Sequence, residues 1–398
     1  QINDMKENLP ELLDSDKKDF PIKDAKKRVE AFRHSLGEIR LAARRQHCEW
    51  ELPTVETGTD LYGLLLSEVQ PLREIARMLA IRIRIEIHEG RFDDAVDSLQ
   101  TGYAMGRHMA NAPFLINALV GVAICRMMDE RVIELAREKD APNLYWSLTA
   151  LPRPIIDMRR SLEFEAASAF QVFPELPNAV TVGGEQSARE FEAFIKRFEQ
   201  LADASANTDG PEYEMKERLT KMLKDEAAMK KARSYLVSSG FKANAVQKMP
   251  ATQVLLLREK TMYEQDRDNL FKWCFLPYHQ ARPGFEQWAK DFRAAREDRS
   301  TMPLVSLLLP GIDRASQVEA RTGRTNAALR IVESIRDYAA ANDGQVPASL
   351  DDLTLPVSKN PVDDKPFEYA RKGNEATLRS HDGVATAIRF RLRVRKAD

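Results

Sequence analysis

The chain has 398 residues, of which 43% are hydrophobic and 30% charged, a composition typical of a folded protein long enough for two or three domains. Its 60 basic and 61 acidic side chains give a formal net charge of -1. No chain-wide field therefore attracts nucleic acid or an anionic membrane, and we expect no nucleic-acid partner. The three cysteines are too few and too scattered for a disulfide framework, a zinc site or haem attachment.

The longest apolar runs lie at 115–128 and 303–312. Both are shorter than the roughly 20 residues that cross a bilayer, so we expect no membrane-spanning segment. The first residue is Gln1 rather than methionine. We therefore expect that something upstream was removed, either a signal peptide or anchor in the cell or a part left out for expression.

Helical periodicity dominates residues 24–300, which we interpret as one all-helical scaffold behind an N-terminal extension at 1–23. Within it, the segment 81–87 alternates isoleucine with charged residues, a pattern typical of a strand. We still predict a helix there, because helical spacing continues into it from Leu72 with no turn residue between. The extra isoleucines then indicate burial on two sides. Gly, Pro, Asn and Ser predict loops at 173–184, 204–211, 238–251 and 277–283.

Residues 72–110 predict two helices joined by a short turn. Gly90, Phe92 and Ala95 match the turn and second helix of a tetratricopeptide repeat, which this segment therefore resembles. Glu86 stands where that repeat usually has an aromatic residue. The resemblance covers one repeat and implies helical-hairpin packing rather than a peptide-binding groove.

The pattern changes after residue 300, where a connector at 301–325 precedes a C-terminal domain at 326–398. An amphipathic helix in this domain stops near Gly344. Three runs with strand character follow, at 367–370, 376–379 and 385–394. The predicted fold is therefore mainly α, a helical-hairpin array followed by a small α+β domain with a long helix and an antiparallel sheet.

The C-terminal domain also carries a recognisable pattern. Its helix ends in Tyr338-Ala339, a Gly-x-x-Pro-x-Ser-Leu turn starts at Gly344, and Lys365-Pro366-Phe367 leads into the first strand. This pattern resembles the soluble part of type II secretion pseudopilins, over about a fifth of the chain. The apolar filament helix of a true pseudopilin is missing.

The whole arrangement is similar to bacterial envelope proteins that carry a pseudopilin-like tail. The resemblance implies a location in the periplasm or cell envelope, with the cytoplasm as the alternative. It also implies assembly with a protein partner or with further copies of this chain. It suggests a compartment and not a chemistry.

Major pseudopilins can bind calcium in the loop that follows this helix and sheet. By that resemblance, Asp363, Asp364 and Asp382 are candidate calcium ligands. Calcium takes about six to eight oxygen ligands, however, and Asn360 and Asp364 differ from the residues usual in that loop. Solvated turn carboxylates are the alternative interpretation, and we expect no other cofactor.

Arginines alternate with apolar residues at the end of the chain. In a strand, Arg389, Arg391, Arg393 and Arg395 share one face, and the apolar residues between them point toward the helix. Guanidinium groups bind carboxylate, sulfate or phosphate in a fixed geometry, so this strand is the candidate partner-binding site. The alternative is a solvated outer face whose charge discourages edge aggregation.

The sequence contains no strong catalytic motif, and we assign no catalytic residue. The leading hypothesis is a non-catalytic envelope protein that acts through protein contacts, as an interaction or assembly subunit. One alternative is a hydrolase with its site between the helical region and the C-terminal domain. Another is a protein that binds an anionic polymer, polysaccharide or nucleic acid, through the arginine strand.

Overall fold

The computed structural model describes residues 9–50, 61–204, 213–297, 312–380 and 388–393. The described chain is mainly helical and ends in a small antiparallel sheet, which confirms the predicted class at this level. The helices are α1 (Leu9–Asp14), α2 (Ile22–Ala31), α3 (Arg33–Ala43), α4 (Leu61–His88), α5 (Phe92–Ala110), α6 (Leu115–Leu135), α7 (Tyr145–Thr149), α8 (Arg159–Val172), α9 (Glu175–Asn178), α10 (Gly184–Ala204), α11 (Tyr213–Lys224), α12 (Glu226–Ser238), α13 (Ala243–Lys248), α14 (Ala251–Cys274), α15 (Tyr278–Glu297) and α16 (Ile312–Ala341). The strands are β1 (Glu368–Lys372), β2 (Glu375–Ser380) and β3 (Ile388–Arg393). Among the described residues, no helix combines the length and apolar character needed to cross a bilayer.

Helix α4 lies at the centre of the scaffold and contacts α2, α5 and α6. The segment 81–87 is helical, as predicted, and Ile81, Ile83 and Ile87 are at most 1% exposed. Packing by several helices explains why this segment has apolar residues beyond a single stripe. Gly90, with a φ of 73°, closes the turn into α5, so the predicted helical hairpin is present.

Helices α5 and α6 approach closely because glycines line their contact. A Cβ atom on Gly121 would lie 2.4 Å from the carbonyl oxygen of Gly106, and one on Gly106 would lie 2.7 Å from Sγ of Cys125. A Cβ atom on Gly102 would overlap the side chain of Met128. Gly106 and Gly121 therefore accept no larger residue without moving the helices apart, whereas at Gly102 the side chain of Met128 would have to shift.

The predicted N-terminal extension packs on the scaffold through Leu12 and the residues that follow it. Leu12 is 1% exposed and belongs to the main apolar core. Arg84 donates to the carbonyl oxygen of Leu12 at 2.8 Å, and Arg131 donates to that of Leu13 at 3.0 Å. Two buried cations of the scaffold thus bind the backbone of this segment and satisfy two of its carbonyl groups.

Three of the predicted loops overlap helices, and the one at 173–184 contains the four-residue helix α9. The prediction of a loop at 277–283 is wrong, because α15 begins at Tyr278 and includes Pro283. Pro283 removes one backbone hydrogen bond, but packing of α15 on α14 compensates, with Gly284 directly against the ring of Trp273. The loop predicted at 238–251 contains the short helix α13.

Helix α16 joins the two parts of the molecule. It starts at Ile312, inside the predicted connector, and continues without a break to Ala341. Leu329 packs in the core of the scaffold, whereas Ile331 and Ile335 pack in a second core beneath the sheet. One helix therefore contributes side chains to both cores.

A buried carboxylate fixes the contact between α16 and the scaffold. Glu333 is 1% exposed and accepts the backbone N–H of Leu144 at 3.0 Å. Arg336 donates to both of its oxygens, at 2.8 and 2.7 Å. Asn143 in turn donates to the carbonyl oxygen of Glu333 at 2.8 Å.

The sheet has the order β1-β2-β3, with all neighbours antiparallel. Strands β1 and β2 form a hairpin in which Lys372 pairs with Glu375 across the two-residue turn Gly373-Asn374. Gly373 has a φ of 62°, while Asn374 has an ordinary negative φ. A glycine at the first position of a two-residue turn is typical of the type II′ hairpin turn.

We predict that Gly121→Ala destabilises the protein by about 1–3 kcal/mol, because the added methyl group forces α5 and α6 apart. Gly37→Ala is the control: it lies in α3 with no atom within 4 Å of the new Cβ, and should stabilise by roughly 0.5–1 kcal/mol. Urea unfolding measures both effects. Equal midpoints for Gly121→Ala and the wild type would contradict the close approach.

Candidate functional site

The outer face of the sheet carries the arginines predicted as the partner-binding site. Arg389, Arg391 and Arg393 are exposed, and the apolar residues that alternate with them are partly buried against the core beneath the sheet. The structure thus places three of the four predicted arginines on one face. Arg395 lies outside the described residues.

The central strand adds a fourth arginine that was not among the predicted site residues. In the register of β2 and β3, Arg379 lies directly opposite Arg389, and Thr377 lies opposite Arg391. Directly opposite residues share a face of the sheet, so Arg379 belongs with the β3 arginines. Its alternation with Leu378 was a signal in the sequence, but a single arginine in β2 does not stand out. We call Arg379, Arg389, Arg391 and Arg393 the arginine face.

The charges of the arginine face are only partly neutralised. Arg393 donates from Nε to Oε1 of its cross-strand neighbour Glu375 at 2.7 Å. In the part of the chain that the structure describes, no carboxylate pairs with Arg379, Arg389 or Arg391. Like charges directly opposite each other destabilise a sheet, so the Arg379 and Arg389 pair is unfavourable for folding by itself. An anion bound between the two guanidinium groups would remove that repulsion.

The aspartates predicted as calcium ligands lie around the turn before β1. Asp364 has a φ of 56°, a left-handed conformation. This conformation suits the glycine that is usual at this position in the pseudopilin loop. Its carboxylate binds Nζ of Lys359 at 3.1 Å, and Asp363 accepts the N–H of Lys365 at 3.1 Å. Asp382 lies outside the described residues. Within the described ranges, no three His, Cys, Asp or Glu side chains form a group that could hold a metal ion. The calcium site stays a prediction.

Described residues of the scaffold and of the C-terminal domain bond to each other in the region where the hydrolase hypothesis puts its site. Tyr145 donates its hydroxyl to the carbonyl oxygen of Pro356 at 2.7 Å, and Arg330 donates to Oγ1 of Thr149 at 2.9 Å. The guanidinium of Arg330 also lies 5.3 Å from the ring centre of Tyr145. These residues hold the two parts together.

A groove of about 530 Å³ lies between α2 and the α4–α5 turn. Its charged side chains pair with one another: Lys26 binds Glu89, and Arg82 donates to Oε1 of Glu86 at 2.7 Å. Arg91 binds Glu89 at 2.7 Å as well. The groove therefore offers a ligand little charge that is not already neutralised.

Several acids of the scaffold are buried. Burial raises the pKa of Asp129 to about 7, although the hydroxyl of Tyr103 donates to this carboxyl at 2.6 Å. Burial likewise raises the pKa of Glu259 to about 8 and that of Glu319 to about 7. Each of these groups takes up a proton more readily in the folded chain than in the unfolded one.

Comparisons of this chain with family models, with curated proteins and with solved structures gave no match. The structure itself defines the class: a mainly helical protein with a small antiparallel C-terminal sheet. Of the candidate sites, the arginine face is the one with exposed charges that lack partners among the described residues.

We predict that Arg379→Thr changes the stability of the folded protein by no more than a few tenths of a kcal/mol at low salt, because it removes both the repulsion with Arg389 and the attraction to Glu368, which lies opposite it in β1. Arg393→Thr is the matched variant and should lower stability slightly, because it breaks the pair with Glu375. Thermal unfolding at low and high salt measures both. A clear loss of stability in Arg379→Thr would show that this arginine has a structural partner.

We predict that the protein loses stability as the pH rises from about 4 to about 7. An unfolded aspartate has a pKa near 4, so in this window folded Asp129 holds a proton that the unfolded chain releases. Asp129→Asn mimics the protonated carboxyl and keeps an acceptor for Tyr103. Its melting temperature should match the wild type near or below pH 4 and exceed it by a growing margin up to about pH 7.

Glu259 and Glu319 remain in that variant, so its pH dependence should be smaller than that of the wild type but not absent. The control is Asp337→Asn, at an exposed position of α16, which should leave the profile unchanged. A wild-type melting temperature that rises from pH 5 to pH 8 would contradict the prediction.

Proposed function

We propose that this protein is a non-catalytic subunit of a bacterial envelope assembly, and that its arginine face binds an acidic surface of a partner protein. The observation that carries the proposal is the cross-strand opposition of Arg379 and Arg389 on an exposed face. The opposition of these two like charges is unfavourable for folding by itself, and it provides two guanidinium groups side by side.

The shape of the face supports a protein surface as the partner. Six-residue strands extend about 17–20 Å, which is the scale of a small protein contact patch. Its central positions, Ala370 and Thr377, are small and let a flat surface approach the arginines. Guanidinium groups form two parallel hydrogen bonds to one carboxylate, which gives such a contact a defined geometry.

Two carboxylates on the same face make a polyanion a poorer fit. Glu368 lies opposite Arg379, and Glu375 lies opposite Arg393. A phosphate or sulfate chain that crosses the sheet would pass Glu368 and would find the charge of Arg393 already used by Glu375. A folded partner can place its acidic residues at Arg379, Arg389 and Arg391 alone and keep them away from the two glutamates, which favours a protein.

The envelope location is supported by the sequence of the C-terminal domain. The resemblance to pseudopilins implies a long helix, a turn and an antiparallel sheet, and the described elements follow that order in α16 and β1 to β3. The scaffold then replaces the apolar filament helix of a pseudopilin. A domain fixed on a packed helical array is suited to hold one surface toward an assembly.

The proposal predicts a charge-dependent contact at the centre of the face. We expect a photo-crosslinking amino acid at position 377 to form a discrete adduct with one protein in the native cells. The triple variant R379T/R389T/R391T should lose most of that adduct, because the carboxylates of the partner lose their donors. Mass spectrometry of the adduct identifies the partner and its contact surface.

The matched control is K230Q/K231Q/K242Q, which removes three exposed positive charges from the scaffold and should keep the adduct. An adduct that the face variant does not weaken, or one formed with nucleic acid or polysaccharide, would refute the proposed function. Rising salt should weaken the wild-type contact, because the ion pairs are exposed at the rim.

A further inference from the structure

We infer that the partner binds in extended form, as an added strand on the open edge of β3, through a segment that alternates acidic and apolar residues. This inference rests on the proposed function and names the mode of binding. In the described sheet, β3 pairs with β2 on one side only. No other described strand pairs with its second edge, which can therefore accept an incoming strand.

The hairpin turn fixes which backbone groups of β3 face that edge. In a two-residue hairpin turn, the residues that flank the turn form a hydrogen-bonded pair, here Lys372 and Glu375. Hydrogen-bonded pairs alternate along a strand, so Glu375, Thr377 and Arg379 direct their backbone groups to β1. The residues between them, Ala376, Leu378 and Ser380, then direct theirs to β3.

The same alternation continues into β3. Its residues opposite Ala376, Leu378 and Ser380 are Leu392, Phe390 and Ile388, whose backbone groups are used by β2. The N–H and C=O groups of Arg389, Arg391 and Arg393 consequently point to the open edge. The residues that supply the positive charge are thus also those that can hydrogen-bond an added strand.

Because the same arginines supply the charge and the hydrogen bonds, they specify the sequence pattern of the partner segment. An antiparallel strand on this edge would form hydrogen-bonded pairs with the three arginines, and its side chains at those positions would lie on the arginine face. Carboxylates there would pair with the guanidinium groups. The alternate residues would lie beside Ile388, Phe390 and Leu392, which are only partly buried, so apolar side chains fit.

A second copy of this chain is a poor occupant. Antiparallel pairing of two β3 strands would bring arginine opposite arginine along the contact, and like charges directly opposite are unfavourable. The charge pattern therefore selects an acidic segment over self-association.

The probe is a ten-residue peptide that alternates glutamate and valine, with a control peptide of the same composition in which the glutamates and valines form two blocks. We expect wild-type protein to bind the alternating peptide and to bind the block peptide at least about tenfold more weakly, because only alternation places all the acids on one face. A single-stranded oligonucleotide of the same charge should compete poorly.

Three variants separate strand addition from charge alone. Arg391→Ser removes a charge and keeps the edge N–H, Arg391→Pro removes both, and Arg379→Ser removes a charge from the central strand. Proline is tolerated on an edge at a position whose N–H points outward. We expect Arg391→Pro to bind about tenfold more weakly than Arg391→Ser, since the loss of a backbone hydrogen bond adds to the loss of charge.

Amide hydrogen exchange in the wild type tests the inference without a variant. Peptide binding should slow exchange at Arg389, Arg391 and Arg393 and leave the already protected amides of Phe390 and Leu392 unchanged. Equal binding of both peptides, equal affinities of the Pro and Ser variants, strong competition by the oligonucleotide, or no added protection would each overturn strand addition. A crosslink at position 377 that depends on the arginine face would still support the proposed function in those cases.

Discussion

The orientation of the C-terminal domain depends on one buried carboxylate, that of Glu333. It lies where α16 meets the scaffold, accepts the N–H of Leu144 and is held by both hydrogen bonds from Arg336. A buried charge that loses its partner destabilises a protein by about 3–5 kcal/mol, so this contact tolerates little displacement. Because the same helix contributes Leu329 to one core and Ile331 to the other, fixing α16 also fixes the sheet.

The exposure of the arginine face follows from that arrangement. Helix α16 covers one side of the sheet, and Leu378 packs there with 0% exposure. Since side chains alternate along a strand, covering one side leaves the other to solvent, and a shift of one residue would bury arginines. Phe390 contacts both cores, so β3 is held by the scaffold as well as by its own domain. The site is thus a rigid surface rather than a loop that must order on binding.

The parts that could be predicted from the sequence are those set by local periodicity. The helix over 81–87 followed from spacing that began at Leu72, and the positions of the three strands followed from alternation and turn residues. Proline misled the prediction at 277–283, because tertiary packing on α14 outweighs one missing hydrogen bond. Arg379 was missed because a single arginine in a short strand resembles any exposed residue, and only the register shows what it opposes.

The buried polar contacts could not be predicted in this way. Glu333 and Arg336 are three residues apart on a helix, which in a sequence is indistinguishable from an exposed ion pair. Only the fold shows that Leu144 lies against them. The same holds for Arg84 and Arg131, which a sequence presents as solvent-facing cations although they bind carbonyl groups of the N-terminal segment.

The charges of the scaffold and of the arginine face respond differently to pH. Buried acids such as Asp129 and Glu259 favour the protonated form in the folded state, so the scaffold gains stability as the pH falls below neutral. Arginines stay charged throughout this range, whereas exposed carboxylates of a partner ionise above a pH of about 4. Between about pH 5 and 7 the ion pairs that we propose can form, and toward pH 5 the scaffold keeps more of the stability that it loses as the pH rises to 7. The site and the fold that presents it are thus compatible with a mildly acidic as well as a neutral environment.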